Sequence, residues 1–480
     1  MSVLVVDVGT SSVRSSIVRP DATVEHEHNR SLLPDSPAPG LVEFDARAMA
    51  DAALDTARAA LAEGGSVDGV GIANQRGSAI VWDRTTGEPV GPGIGWQDLR
   101  TLGRCLELQA SGYRLAPNVA ATKFEALLDV ADPDRTRDLC CGTVDSWITW
   151  ILSDGAFHIT DASNAGISGL LADDHHSWNP DLLDVLRIPI GSLPELVDTT
   201  GLVGDARALT GAPALAARAG DQQASLVGQG CVRAGLAKIT FGTGGMLDVC
   251  LGPDRPAFST RGKAGTFPII AWRTHGLDTW GIEAIMLSAG TNVEWLRDDL
   301  GVLATAHESH EVAQRCTDTG GVVYVPALLG LGTPQWDYGA RGTVLGLTRG
   351  TGRPELVRAV LEGVAQRGAD LVESAEADAR LLIPTLRVDG GMTANPTFVQ
   401  ALADATQKPV EISPVEEATT VGAGFLAGLA TGIWTSEDDL AATWAPRARV
   451  EPGTPLDRDQ WREAIRRSQA WLSDLSGIDF

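Results

Sequence analysis

Lys238-Ile239-Thr240-Phe241-Gly242-Thr243-Gly244-Gly245 sits halfway along the chain and repeats the design of its opening, Val3-Leu4-Val5-Val6-Asp7-Val8-Gly9-Thr10-Ser11-Ser12. Val3–Val6 is a continuous apolar run and Lys238–Phe241 an extended stretch, and each leads into a turn of glycine and hydroxyl residues and then a second extended run. The second runs are Val13–Val18 and Met246–Cys250. Apolar β-branched runs bounded by turn residues read as strand, turn, strand. Two such hairpins, one opening each half, predict two domains of related design. The length agrees, because 480 residues exceed what one hydrophobic core usually serves.

Outward from these hairpins the pattern alternates. Pro20-Asp21 makes a turn before a strand over Thr23–His28, and Ser31–Gly40 reads as an ordered surface loop. Alanine-rich helical spacing covers Ala46–Ala62 and is closed by Gly64-Gly65. Strands at Val67–Ile72 and Ala79–Trp82 flank Asn74-Gln75-Arg76-Gly77. In the second half, helices are predicted over Pro354–Ala377, Pro396–Gln407 and Asp457–Leu475. A further helix over Ala418–Leu429 carries Gly422, Ala423, Gly424, Ala427 and Gly428, which permit close packing. Strands mixed with helices in each half give an α/β class. The boundary is placed near Arg233–Ala237, dividing the chain into 1–235 and 236–480.

Hydrophobic residues make up 44% and charged residues 21%, as in folded globular proteins. The net charge of −24 disfavours nucleic acid or an anionic membrane as partner, since both are polyanions. The start lacks the basic segment and apolar length of a secretory signal. No stretch approaches the roughly 20 apolar residues that span a bilayer. Six cysteines without a CxxC pair read as reduced thiols. A cytoplasmic protein is expected.

Four constellations can carry chemistry. Asp7-x-Gly9-Thr10-Ser11-Ser12 places a carboxylate at a strand end before a turn of N–H and O–H donors, which suits polyphosphate and a hydrated Mg2+. Gly242-Thr243-Gly244-Gly245 lets backbone approach an anion. Each taken alone is equally an ordinary turn. Asp389-Gly390-Gly391-Met392, with Asn395 beyond and Pro396 at a suitable first helical position, forms a strand-to-helix turn that can cradle a nucleotide. Gly220-Asp221-Gln222-Gln223 displays an aspartate that can take a proton from an attacking hydroxyl, cap a helix, or both. Neither GxxxxGK[ST] nor a strand followed by GxGxxG is present, which removes the P-loop and Rossmann routes to a nucleotide. His307-Glu308-Ser309-His310 and His175-His176 lack ligand spacing and read as solvated helix face and polar loop.

Together these segments resemble the FGGY family of carbohydrate kinases, most closely its glycerol kinase branch. The likeness runs nearly end to end. It covers Asp7–Arg14, Gly71–Arg76, Trp96-Gln97, Gly142–Trp147, Thr160–Ala165, Gly220–Gln223 and Phe241–Gly244. It continues through Glu294–Asp298, Pro326–Gly332, Arg341–Gly350 and Arg387–Gly391. The resemblance implies a ribonuclease H-like fold in both domains, as in actin and hexokinase, with the active site in the cleft between them. It implies in-line transfer of the γ-phosphoryl group of ATP, with Mg2+, to a primary alcohol of a small polyol or ketose. By the same carry-over Asp221 is the general base, and Asp7 and Asp221 attend the metal. Thr10, Ser11, Ser12 and Arg14 lie by the terminal phosphates, with Thr243 and Gly244 opposite. Gly290, Glu294, Gly390, Gly391 and Asn395 match nucleoside-side positions, where the family commonly has glutamine at 294. Dimers are frequent in such enzymes, so the resemblance admits a homodimer.

The substrate pocket departs from the glycerol kinase pattern. Arg76, Trp96, Asp221 and Gln222 are retained, but Gly77 stands for a glutamate, Asn118 for a tyrosine and Met246 for an aromatic residue. Trp96-Gln97-Asp98-Leu99-Arg100 has the Trp-x-Asp-x-Arg form of pentulose kinases, without the His-Gly pair of xylulose kinases. Smaller or more flexible residues are expected to widen the pocket for a tetritol, pentitol or pentulose, with glycerol as the alternative. A catalytically silent sensor is disfavoured by the presence of Asp221. A chaperone-like ATPase would need a further peptide-binding domain. An actin-like polymer would leave the Arg76-Trp96-Asp221-Gln222 set unexplained.

Overall fold

The computed structural model describes residues 1–415 and 417–478. The opening hairpin forms as read: Val3–Val8 pairs antiparallel with Ser12–Val18, which pairs antiparallel with Val24–Ser31. On its other side Val3–Val8 runs parallel to Gly69–Asn74, which runs parallel to Ala214–Gly220. The second half repeats this plan. Ala237–Phe241 pairs antiparallel with Gly245–Gly252, which pairs antiparallel with Leu277–Met286. Ala237–Phe241 then runs parallel to Leu386–Asp389, and that strand parallel to Val410–Ile412.

The two half-sheets join into one 13-stranded sheet. They meet where Thr200–Asp205 touches Phe267–Thr274 through the single parallel pair Thr200↔Thr274. One pair of residues makes a narrow seam for so large a sheet. Separate cores flank it, one around Val6, Ile72, Trp82 and Trp147 and another around Phe241, Leu361, Val388 and Phe398.

A third core straddles the seam. The helix Ala418–Thr431 belongs to the second half in sequence, yet Val421, Phe425 and Leu426 pack with Val3, Val5, Ala217 and Val227 of the first. The small residues predicted for this helix serve that contact. A Cβ at Gly422 would overlap the Ala224 carbonyl oxygen, and one at Gly228 the Ala418 carbonyl oxygen. The helices Asp221–Gly228 and Ala418–Thr431 therefore touch backbone to backbone.

The other helices fall at Ala46–Gly64, Arg353–Ala379 and Pro396–Thr406, within two residues of expectation at each end. The C-terminal segment differs. It is broken into Arg458–Ser468 and Ser473–Ser476, because Ala470 turns into the left-handed region at φ 53°. There its N–H donates to Asp337 Oδ2 (2.8 Å), and that bond replaces a continued helical ladder. Among the described residues no helix is long and apolar enough to cross a membrane.

Gly422→Ala is expected to lower stability by about 3 kcal/mol or more, since overpacking against backbone cannot be relieved by a side-chain rotation. Gly103→Ala, in a helix with open space around the added Cβ, is expected to change stability by about 1 kcal/mol or less, in the stabilising direction. Thermal and urea melts of the two variants check the contrast.

Candidate active site

Parallel strands ending side by side set the site. Val3–Val8, Gly69–Asn74 and Ala214–Gly220 deliver Asp7, Arg76 and Asp221 to one edge, with the register Val8↔Asn74 and Gly220↔Asn74. Asp221 is the first residue of the helix Asp221–Gly228, whose N-cap is Gly220. The capping alternative for Asp221 is therefore corrected. Its Oδ1 instead accepts from the Gln222 N–H (2.8 Å) and lies 3.4 Å from Arg76 Nε. The side chain keeps 32% exposure, enough to meet a substrate.

Arg76 is anchored from the other half. Its NH2 donates to Glu283 Oε2 at 2.6 Å, and its NH1 to Gln223 Oε1 at 3.4 Å. Burial opposes the guanidinium charge, but Glu283, Asp221 and Asp248 together outweigh it and hold its pKa above the ordinary value. For Asp221 burial dominates and raises the carboxyl pKa, against the lowering effects of Arg76, the Gln222 N–H and Lys238. A carboxylate so placed is a stronger proton acceptor than one in water.

Asp7 is pushed up to about 7, first by burial, with Arg14 opposing and Asp221 and Glu27 adding repulsion. Two carboxylates that disfavour each other's charge in a desolvated cleft are a donor set that a divalent cation fits. Among the described residues no group of three or more His, Cys, Asp or Glu side chains is arranged to hold a metal ion.

The residues expected on the phosphate side lie around the first hairpin turn. Gly9 N–H closes it onto the Ser12 carbonyl (3.0 Å), and Ser11 is exposed at its tip. Trp96 Nε1 donates to Thr10 Oγ1 (3.1 Å), joining the expected substrate wall to that turn. Arg14 pairs with Glu417 and, at 3.6 Å, with Glu27, so any anion bound there would compete with carboxylates for it. At the second hairpin turn, Ala289 N–H and Gly290 N–H donate to the Thr243 and Gly242 carbonyls (2.8 and 2.9 Å). Gly390 packs against Phe241 of the same hairpin. The second turn, Gly244 beside Thr243, Gly290 and the Gly390-Gly391 bend are thereby brought together. Asn395 caps the helix Pro396–Thr406 through Phe398 N–H and donates to Ser309 Oγ (2.9 Å). Glu294 is exposed at the end of the short helix Thr291–Glu294. His310, expected on a solvated face, bonds Thr397 through Nδ1 (2.8 Å), and His175 sits edge-on to Trp280.

Gly77 and Asn118, expected to line the substrate pocket, are coupled to one another. Gly77 has φ 73°, and a Cβ there would overlap the Asn118 carbonyl oxygen. Lys123 Nζ bonds both the Gly77 and Asn118 carbonyls (2.9 and 3.0 Å), and burial lowers its pKa to about 7. Gly77 therefore opens no space at its own Cβ, because backbone has moved in. The expected widening is left to Asn118, which is exposed, and Met246. Asp98 of the Trp-x-Asp-x-Arg run is fully buried and collects Val42 N–H and Arg100, so it braces the wall behind Trp96.

Three residues of this arrangement were not singled out from sequence: Lys238, Asp248 and Glu283. Their signal was present, since each is a charge between two apolar neighbours in a strand, a placement that costs energy unless the charge is paired.

The model of the FGGY carbohydrate kinase N-terminal domain matches residues 2–228, and that of the C-terminal domain matches residues 237–431. The chain belongs to the FGGY family of carbohydrate kinases. Within that family it is 39% identical to a glycerol kinase of Dechloromonas aromatica, over 98% of each chain. It is 37% identical to glycerol kinase 2 of Thermotoga maritima, over 98% of this chain and 99% of that one. The glycerol kinase of Plasmodium falciparum, solved with ADP, superposes with a TM-score of 0.90 at 26% identity, covering 97% of this FGGY kinase and 98% of that chain. A xylulose kinase of Brucella ovis superposes at 0.85 with 25% identity, each chain covered completely.

The ligand-free protein is expected to lose stability as pH rises from about 4 to about 7, and to change little from Asp7 above that. The sign follows from Asp7, whose carboxyl takes its proton at about 7 when folded but near 3.9 when unfolded. Asp7→Asn should flatten that part of the profile, measured as melting temperature against pH in the presence of a chelator.

Proposed function

We propose that this chain transfers the γ-phosphoryl group of ATP to a primary hydroxyl of a small polyol or ketose, with Asp221 as general base. The observation that carries the reading is the partly exposed, burial-raised Asp221 carboxylate beside an Arg76 guanidinium that is locked by Glu283. In this reading Asp221 Oδ takes the substrate proton while Arg76, Trp96 and Gln222 fix the carbon chain. Thr10, Ser11, Ser12 and Arg14 take the terminal phosphates from one side, and Thr243 and Gly244 from the other. Gly290, Glu294, Gly390, Gly391 and Asn395 hold the nucleoside. A Mg2+ ion, when bound, neutralises phosphate charge, and Asp7 with Asp221 would hold it. Phosphoryl transfer needs alignment and exclusion of water more than covalent help. Two domains, 1–235 and 236–480, closing about the narrow sheet seam would supply both.

The preferred substrates are longer than glycerol: a tetritol, pentitol or pentulose. Gly77 removes a carboxylate that backbone then walls off, and Asn118 and Met246 replace rigid rings with shorter or more flexible groups. Glycerol is the second reading, favoured by relatives named glycerol kinase at 36–39% identity over the full length. A cytoplasmic location suits an enzyme that uses ATP and carries free, mostly buried cysteines.

Coupled ADP release with MgATP against glycerol, erythritol, pentitols, ribulose and xylulose tests the reading. One longer substrate should win, and Asp221→Asn should cut its turnover by about 10²–10⁴-fold; glycerol as the clear winner selects the second reading. In the same assay Asn118→Tyr is expected to shift selectivity toward glycerol by about tenfold. Gly77→Glu is expected to cost stability rather than restore glycerol binding, since its Cβ has no room.

A further inference from the structure

Strand register sets Lys238 opposite Asp248, and Asp248 opposite Glu283. Arg76 closes this row from the other half through Glu283. Lys238 and Asp248 are fully buried, and Glu283 is 5% exposed. Burying charges is costly even when they are paired, so stability alone does not account for four in one row. The row ends on two neighbouring residues of one helix: Arg76 reaches Asp221, and Lys238 reaches Gln222.

The chemistry of the second contact fixes an orientation. The Lys238 ammonium is surrounded by Gln222 Oε1 at 2.7 Å, Thr240 Oγ1 at 3.0 Å and Asp248 Oδ2 at 2.8 Å. An ammonium has three N–H groups and no lone pair, so it only donates. The Gln222 amide must therefore turn its oxygen to Lys238 and its Nε2 away. Gln222 is partly exposed beside Asp221, and its Nε2 has no partner among the described residues.

We infer that Lys238 is a positioning residue that fixes the Gln222 amide with its N–H2 toward the substrate. The pocket then demands an acceptor oxygen, hydroxyl or keto, next to the hydroxyl that Asp221 deprotonates. The inference rests on the proposed reading of Asp221 and Gln222 as pocket residues. It adds a rule to that reading: Arg76 and Gln222 donate, Asp221 accepts, and a substrate must carry oxygens in the matching order. Asp248 serves by holding the ammonium in place, 2.8 Å from its Oδ2.

Removing Lys238 alone would leave the Asp248 carboxylate buried and unpaired, so the test removes both. The parent, Gln222→Ala, the pair Lys238→Met with Asp248→Leu, and the triple variant are compared by coupled ADP release on the best substrate of the panel. The pair is expected to raise the substrate KM about tenfold, the worth of one hydrogen bond to a substrate oxygen, and to leave the ATP KM within about twofold. The triple variant should be no worse than Gln222→Ala, because Lys238 acts through Gln222. A pair with the parent's substrate KM, or a triple whose loss is the product of the two separate losses, overturns the inference. If the pair does not fold, Gln222→Glu decides the matter. It keeps the contact with Lys238 but has no N–H to give, so it should show the same tenfold rise, and a parental KM would overturn the inference. A parent that releases no ADP with any polyol or ketose instead sinks the functional reading itself.

Discussion

Arg76 and Glu283 come from opposite halves of the molecule and meet at 2.6 Å beneath Asp221. Neither charge would be stable there alone. Removing one partner of such a pair typically costs about 3–5 kcal/mol, because the other is left charged in a dry interior. That constraint ties the strand end that presents Arg76 to the strand Leu277–Met286 of the second half. With the half-sheets sharing, among the described residues, only the Thr200↔Thr274 pair, the relation of the halves near the site rests on such side-chain contacts and on the straddling helix Ala418–Thr431. The two supports act at different ranges. The helix fixes backbone against backbone through Gly228 and Gly422, and the ion pair fixes a functional side chain.

A second set of polar contacts links the Gly390-Gly391 bend to the same frame. Gln229, just past the helix that Asp221 opens, donates to Asp389 Oδ2 (2.8 Å) and accepts from Trp444 Nε1 (3.2 Å). Arg387 on the strand ending at Asp389 stacks over Trp444 at 3.8 Å and bonds the Gln229 carbonyl. The bend Gly390-Gly391 thus follows a strand clamped to the helix that carries Asp221. Displacement of one would be felt by the other through contiguous, hydrogen-bonded contacts.

The pocket illustrates how a substitution is absorbed. Replacing a side chain by glycine is commonly read as a gain in volume. Here the left-handed backbone at Gly77 lets the Asn118 carbonyl take the Cβ position, and Lys123 holds both carbonyls in that arrangement. No space opens at Gly77 itself, because the Asn118 carbonyl occupies it. Specificity in such a site is governed by which donors and acceptors remain, since an unpaired buried polar group discriminates more strongly than a small change in volume.

The sequence by itself determined the elements and their duplication. Apolar and β-branched runs, Gly-Thr turns and capped helices are local signals, and local sterics decide them. It also determined the family, because collinear motifs mark Asp7, Arg76, Asp221 and Gly390 at strand ends. What only the tertiary structure decided were contacts between residues distant in sequence. These are the pairing of Arg76 with Glu283 across 207 positions, the row through Lys238 and Asp248, the closing of the Gly77 space, and the break at Ala470. Each depends on strand register or on backbone approach between separate segments, and a shift of one residue in register would turn every charged side chain to the opposite face. A charge in an apolar strand announces that it needs a partner, but only the folded chain supplies which one.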